Sequence, residues 1–194
     1  MLMITGTARA QRFEVHPYAG GFFPAKWADT ARLETGGMYG ARGGIFLTTQ
    51  LEIEGNFGYI PHFRFEDADL NTRATLWDAG GSYSFLGLAF DRFEPFVSLG
   101  MGATTVHIRE QQTERILFLD PTFRNPDSMR RPVVLTDGDA FLALNYGGGF
   151  KALRRWGPIG VRVDLRGRTL PNFFGHAYHS FEVTAGFNIA WGER

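Results

Sequence analysis

The chain has 194 residues, with 20 basic and 20 acidic side chains, a net charge of zero and no cysteine. That length suits one domain with a substantial core. The charge balance removes any general pull toward nucleic acid, and the missing cysteine excludes disulfides, thiol catalysis and thiolate metal sites. No apolar run approaches the roughly 20 residues that a membrane-spanning helix needs, so the chain is either soluble or crosses a membrane as a closed barrel, because lipid tolerates no open sheet edge.

The first ten residues, MLMITGTARA, follow no strand period and end in Ala8-Arg9-Ala10 before Gln11. They read as a signal-peptide remnant or a disordered N-terminus, and the barrel domain is expected over 11–194. Eight strands follow: Arg12–Pro24, Gly36–Thr48, Gln50–Phe65, Ala74–Leu86, Phe93–Ile108, Asp139–Leu153, Ile159–Leu170 and His179–Trp191. Each exceeds the usual soluble strand of about 5–6 residues and suits a tilted membrane strand of about 9–11.

A two-residue rhythm runs through these segments. In Ile159–Leu170, Arg162, Asp164, Arg166 and Arg168 share one phase, and Val161, Val163 and Leu165 the other. Side chains alternate faces along a strand, so one face is charged and the opposite face apolar. The fifth strand places Pro95, Val97, Leu99 and Met101 against Phe96, Ser98, Gly100 and Gly102. The eighth places Phe181, Val183, Phe187 and Ile189 against Glu182, Thr184 and Asn188.

The connections alternate between short (Thr48-Thr49, Gly87–Arg92, Arg154–Pro158) and long (Ala25–Thr35, Glu66–Arg73, Arg109–Gly138, Pro171–Tyr178). In an up-and-down barrel the long ones gather at one end and both termini at the other, the layout of outer-membrane barrels. The 109–138 connection is long enough to be a functional segment, and its apolar Ile116–Leu119 is expected to extend the hairpin or fold onto the rim.

The orientation of the charged phase decides the class of protein. Glycine (25 residues) is frequent and Lys26 and Lys151 are the only lysines, a composition that suits an exterior outside water. A narrow eight-stranded barrel is filled by side chains. Arg42, Glu52, Glu54, Asp78, Arg162, Asp164, Arg166 and Glu182 are therefore expected as a lumenal charge network. The same phase carries Glu14, His16, Glu94, Asp139 and Lys151. Val97, Leu99, Met101, Val161, Val163, Leu165, Val183, Phe187 and Ile189 are expected as a lipid-facing belt. Phe13, Phe23, Tyr39, Tyr59, Trp77, Tyr83, Phe85, Phe93, Phe150, Phe181 and Trp191 supply its aromatic collars.

FEPFVSLGMG (Phe93–Gly102), ALNYGGGFK (Ala143–Lys151), IGVRVDLRGR (Ile159–Arg168) and FEVTAGFNIAW (Phe181–Trp191) resemble the bacterial outer-membrane β-barrel family related to the OmpA transmembrane domain, OmpX and OmpW. The resemblance implies an all-β, eight-stranded antiparallel transmembrane barrel in the outer membrane. It departs from the family where Gly192-Glu193-Arg194 follow the terminal aromatic Trp191 and where a full signal peptide is missing.

Three motifs invite chemistry. Asp67, Asp69, Asn71 and Asp78 echo a calcium loop, but without its turn glycine and terminal glutamate. His176 and His179 lie near Ser180 and Glu182, yet adjacent His179 and Ser180 must face opposite ways, which spoils a nucleophile–base pair. Gly147-Gly148-Gly149 lacks the lysine and helix of a phosphate loop and reads as an aid to strand curvature. The expectation is thus a monomeric barrel without catalytic residues, cofactor or metal, in contact with outer-membrane lipid, with a partner surface at 109–138. The competing readings are a narrow channel or binder of small apolar molecules, a lipid A-modifying barrel enzyme, and a soluble lipocalin-like barrel.

Overall fold

A computed structural model describes residues 12–25, 33–64, 72–86, 93–108, 114–119, 132–156 and 158–192, with the backbone alone at 114–119, 132–133 and 153–156. The strands are β1 (Phe13–Pro24), β2 (Gly36–Phe46), β3 (Leu51–Ile60), β4 (Thr72–Ser84), β5 (Phe93–Ile108), β6 (Glu114–Leu119), β7 (Pro132–Thr136), β8 (Asp139–Trp156), β9 (Ile159–Phe173) and β10 (His176–Trp191). Eight of them close into an antiparallel barrel in the order β1-β10-β9-β8-β5-β4-β3-β2. Closure occurs between the first and last strands, where Phe13 pairs with Trp191 and Pro24 with Ser180. It removes the open edges that lipid would leave unsatisfied.

Three differences from the sequence reading concern the connections and the length of β3. β6 and β7 form a separate two-stranded sheet inside the long connection, and the apolar Ile116–Leu119 falls in β6. The connection expected at Pro171–Tyr178 shrinks to the turn Phe174-Gly175, because β9 and β10 continue pairing out to Phe173 and His176. Both turn residues have positive φ, 52° and 87°, the signature of the two-residue turn whose twist matches a hairpin. A left-handed phenylalanine costs about 1–2 kcal/mol. Packing of the Phe174 ring at 4.9 Å from Phe141 and 4.8 Å from Phe173 offsets that cost. Third, β3 stops at Ile60 rather than Phe65. The N-terminal ten residues and the calcium-like Asp67, Asp69 and Asn71 lie outside the described residues.

The glycines of β8 act as curvature residues. A Cβ at Gly147 would strike the Leu165 carbonyl oxygen, and one at Gly149 the Val163 carbonyl oxygen with the Phe96 ring behind it. Here β8 and β9 coil together too closely for a side chain. Gly149→Val is expected to lower the barrel's unfolding free energy by about 1–3 kcal/mol, read as an earlier urea midpoint in detergent. An unchanged midpoint would remove the crowding account.

Candidate functional site

The period-two rhythm is realised as two faces with opposite chemistry. All eight predicted lumenal residues (Arg42, Glu52, Glu54, Asp78, Arg162, Asp164, Arg166 and Glu182) point inward and are buried. The full set of buried charged groups among the described residues comprises six cations (Arg12, Arg42, Lys151, Arg162, Arg166, Arg168) and seven carboxylates (Glu14, Glu52, Glu54, Asp78, Glu94, Asp164, Glu182), with His16 beside them. Near-equal numbers of both signs are what make such an interior tolerable, since opposite charges replace one another's lost water.

The network is layered. At the terminus end, Lys151 bridges Glu14 (3.2 Å) and Glu52, Arg12 pairs with Glu14, and Asn188 donates to Glu14 at 3.1 Å. Apolar rings line this layer, with Lys151 Nζ 5.1 Å from the Phe46 ring centre and 5.4 Å from that of Phe96. In the middle layer Asp164 is the hub. It accepts from Arg42 Nη1 at 2.9 Å and from Arg162 Nε and Nη2 at 3.0 Å each. Arg166 Nη2 stands 3.2 Å away and His16 Nε2 3.5 Å. Glu54 accepts from Arg162 at 2.5 Å and Arg166 at 2.9 Å. Toward the loop end Arg168 donates to Glu182 (2.6 Å) and Asp78 (2.8 Å), and Asp78 also accepts from Asn56 at 2.9 Å.

Beyond this layer the inward phase turns apolar, which the sequence reading did not anticipate. Tyr18, Phe22, Met38, Ile60, Leu76, Val106, Leu170, Phe173 and Tyr178 pack together in the loop-end half of the lumen. Leu135, from β7, is also buried in this cluster. Tyr18 joins the two halves: its hydroxyl donates to Asn56 at 2.9 Å, and the Arg42 guanidinium lies 4.2 Å over its ring. Asp139, expected in the lumen, instead sits half-buried at the rim and accepts from the Thr136 backbone N–H at 2.9 Å. Arg12 and Arg168 are network members outside the predicted set. Arg168 was detectable, since it continues the phase of Arg162, Asp164 and Arg166.

The outer wall carries the complementary face. Val97, Leu99, Met101, Val163, Leu165 and Phe187 are exposed, Leu99 by 69%. Val161, Val183 and Ile189 are half-exposed on the same face. Aromatic pairs mark both ends: Phe13 opposite Trp191 at the terminus end, Phe23 opposite Phe181 and Tyr39 opposite Tyr59 toward the loops. Trp77 departs from the collar expectation. It sits mid-strand opposite Phe57, their rings 4.6 Å apart.

The enzyme-like motif does not assemble. His179 faces outward, its Nδ1 2.9 Å from the Thr169 hydroxyl. Ser180 is buried inward, and Glu182 is engaged by Arg168. Among the described residues no group of His, Asp and Glu stands where three could hold a metal ion.

A closed eight-stranded cylinder, ionised within and apolar without, has the architecture of the bacterial outer-membrane β-barrels. No known protein-family model matches the sequence, and no curated protein does. Among solved structures the chain is similar to Neisserial surface protein A, with a TM-score of 0.61 and 9% identity over 92% of this chain and 96% of that one. It is also similar to the outer membrane protein OprG from Pseudomonas aeruginosa, with a TM-score of 0.55 and 10% identity over 95% and 98% of the two chains. At these identities the likeness is one of fold.

Proposed function

We propose that this protein is a closed scaffold of the bacterial outer membrane: a monomeric barrel, without catalysis or a through-pore, that anchors its loop-end connections at the cell surface. The observation that carries the reading is the doubly plugged lumen. Buried ion pairs fill the terminus-end half and packed apolar side chains fill the loop-end half. An ion entering from either end meets first one plug and then the other. The exposed apolar belt supplies the contact with lipid, and the β6–β7 hairpin within 109–138 is the element offered to a surface partner. His179 and Ser180 on opposite faces of β10 argue against acyl-transfer chemistry, because a serine needs its base within hydrogen-bond reach.

The test is electrical. Reconstituted into planar bilayers, the folded barrel is expected to leave the membrane current flat, whereas discrete ohmic steps would replace the scaffold with a channel. Boiled and unboiled samples are expected to migrate differently in detergent gels, which certifies that the barrel under test is folded.

A further inference from the structure

Among the described residues the ion network borders a small cavity. It lies beside the Glu54–Arg166 pair, rimmed by Glu54, Asn56, Asp78, Ser98, Asn145 and Arg166, and in it the centre of a water molecule has about 10 Å³ of room. The gap exists because the neighbouring wall has no side chains to fill it. Gly80 lies at its edge, and a Cβ there would strike the Leu99 carbonyl oxygen. Curvature thus forbids the side chain that would otherwise close the space.

Two of the rim atoms have no protein partner. Ser98 Oγ and Asn145 Nδ2 are buried without a hydrogen bond, in residues only 8% and 2% exposed. Leaving both unsatisfied in a dry interior is costly. The remaining rim is already committed: Glu54 to Arg162 and Arg166, Asp78 to Arg168 and Asn56. The carboxylates nevertheless keep lone pairs to accept a further bond.

The chemistry of the rim selects the occupant. An anion would face Glu54 and Asp78. A cation would face the Arg166 guanidinium and the N–H donors of Asn145. An apolar molecule would leave the polar atoms unpaired. A water molecule fits both signs, since it accepts from Asn145 Nδ2, exchanges a hydrogen bond with Ser98 and donates to the carboxylates. The space is also close to the minimum that holds one water. We propose that this cavity is a built site for a single internal water molecule, held by Asn145 and Ser98 against the Glu54 and Asp78 carboxylates. That water ties the β5–β8 side of the wall to the charge network and gives Ser98 and Asn145 the partners they lack.

Water itself is the probe. Oxygen-17 magnetic relaxation dispersion of the folded barrel in detergent micelles counts water molecules trapped for longer than the protein tumbles. Asn145→Leu removes the donor and fills the space, so the trapped population is expected to fall by about one molecule, with heat-modifiable migration preserved. Equal dispersion in wild type and variant overturns the site. Should Asn145→Leu fail to fold, high-resolution diffraction from wild-type crystals decides. A peak within hydrogen-bond distance of Asn145 Nδ2 and Ser98 Oγ supports the proposal. An empty cavity overturns it, as does an anomalous thallium signal there after soaking, which would assign a monovalent cation.

Discussion

Replacing Asp164 with alanine lowers the unfolding free energy of the barrel by about 3–5 kcal/mol, the expected cost of breaking a buried ion pair from one side. The size follows from what the carboxylate holds. Arg42, Arg162, Arg166 and His16 all converge on it. Arg162 and Arg166 keep Glu54 when Asp164 is gone, whereas Asp164 is the carboxylate on which Arg42 donates. The uncompensated charge is therefore chiefly that of Arg42, buried to within 2% and stacked on Tyr18. This yields a sign reversal. Arg42→Met alone destabilises, because Asp164 loses one donor although Arg162 keeps two bonds to it. Added to Asp164→Ala, the same substitution recovers part of the loss, because it removes the stranded cation. Equilibrium urea unfolding from lipid vesicles, run as a double-mutant cycle, measures both effects. A loss below about 1 kcal/mol for Asp164→Ala, the range of exposed pairs, would mean that water reaches the network.

Leu99→Arg tests the opposite face. Leu99 stands near the middle of β5 among outward Val97 and Met101, and among the described residues it is the most exposed of the large apolar side chains. In a bilayer an arginine near the midplane of a barrel wall costs about 2–4 kcal/mol, falling to about 0–1 kcal/mol near the interfaces. On a protein surface in water the same change stays within about 0.5 kcal/mol. Phe93→Arg, at the collar of the same strand, is the internal control for depth. Unfolding from phospholipid vesicles is expected to give a large loss for Leu99→Arg and a small one for Phe93→Arg. Losses within half a kcal/mol at both positions would place this wall in water and leave a soluble barrel as the better description.

The faces of the barrel were legible because they depend on a local property. Alternation along an extended chain needs no knowledge of partners, so Arg162, Asp164 and Arg166 declare one face and Val161, Val163 and Leu165 the other. The alternation of long and short connections was legible for the same reason. The apolar plug was missed because phase was equated with polarity. Phe22, Met38, Ile60 and Leu76 occupy the inward phase, yet their chemistry matches the lipid face, and nothing local distinguishes an apolar lumen from an apolar exterior. The Phe174-Gly175 turn was obscured by Pro171 and Asn172, which read as loop residues although β9 runs through them.

By itself, then, the order of residues determined the number of barrel strands, side-chain parity and the confinement of charge to one face, since all three follow from a period of two and the positions of the breaks. Only the closed tertiary structure decided who meets whom. Arg42 and Asp164 are 122 residues apart and Arg162 and Glu54 108 apart, and their contact depends on the stagger at which the strands close and on glycines that let the wall curve inward. Those are properties of the cylinder as a whole, because closure couples the register of every strand to that of all the others.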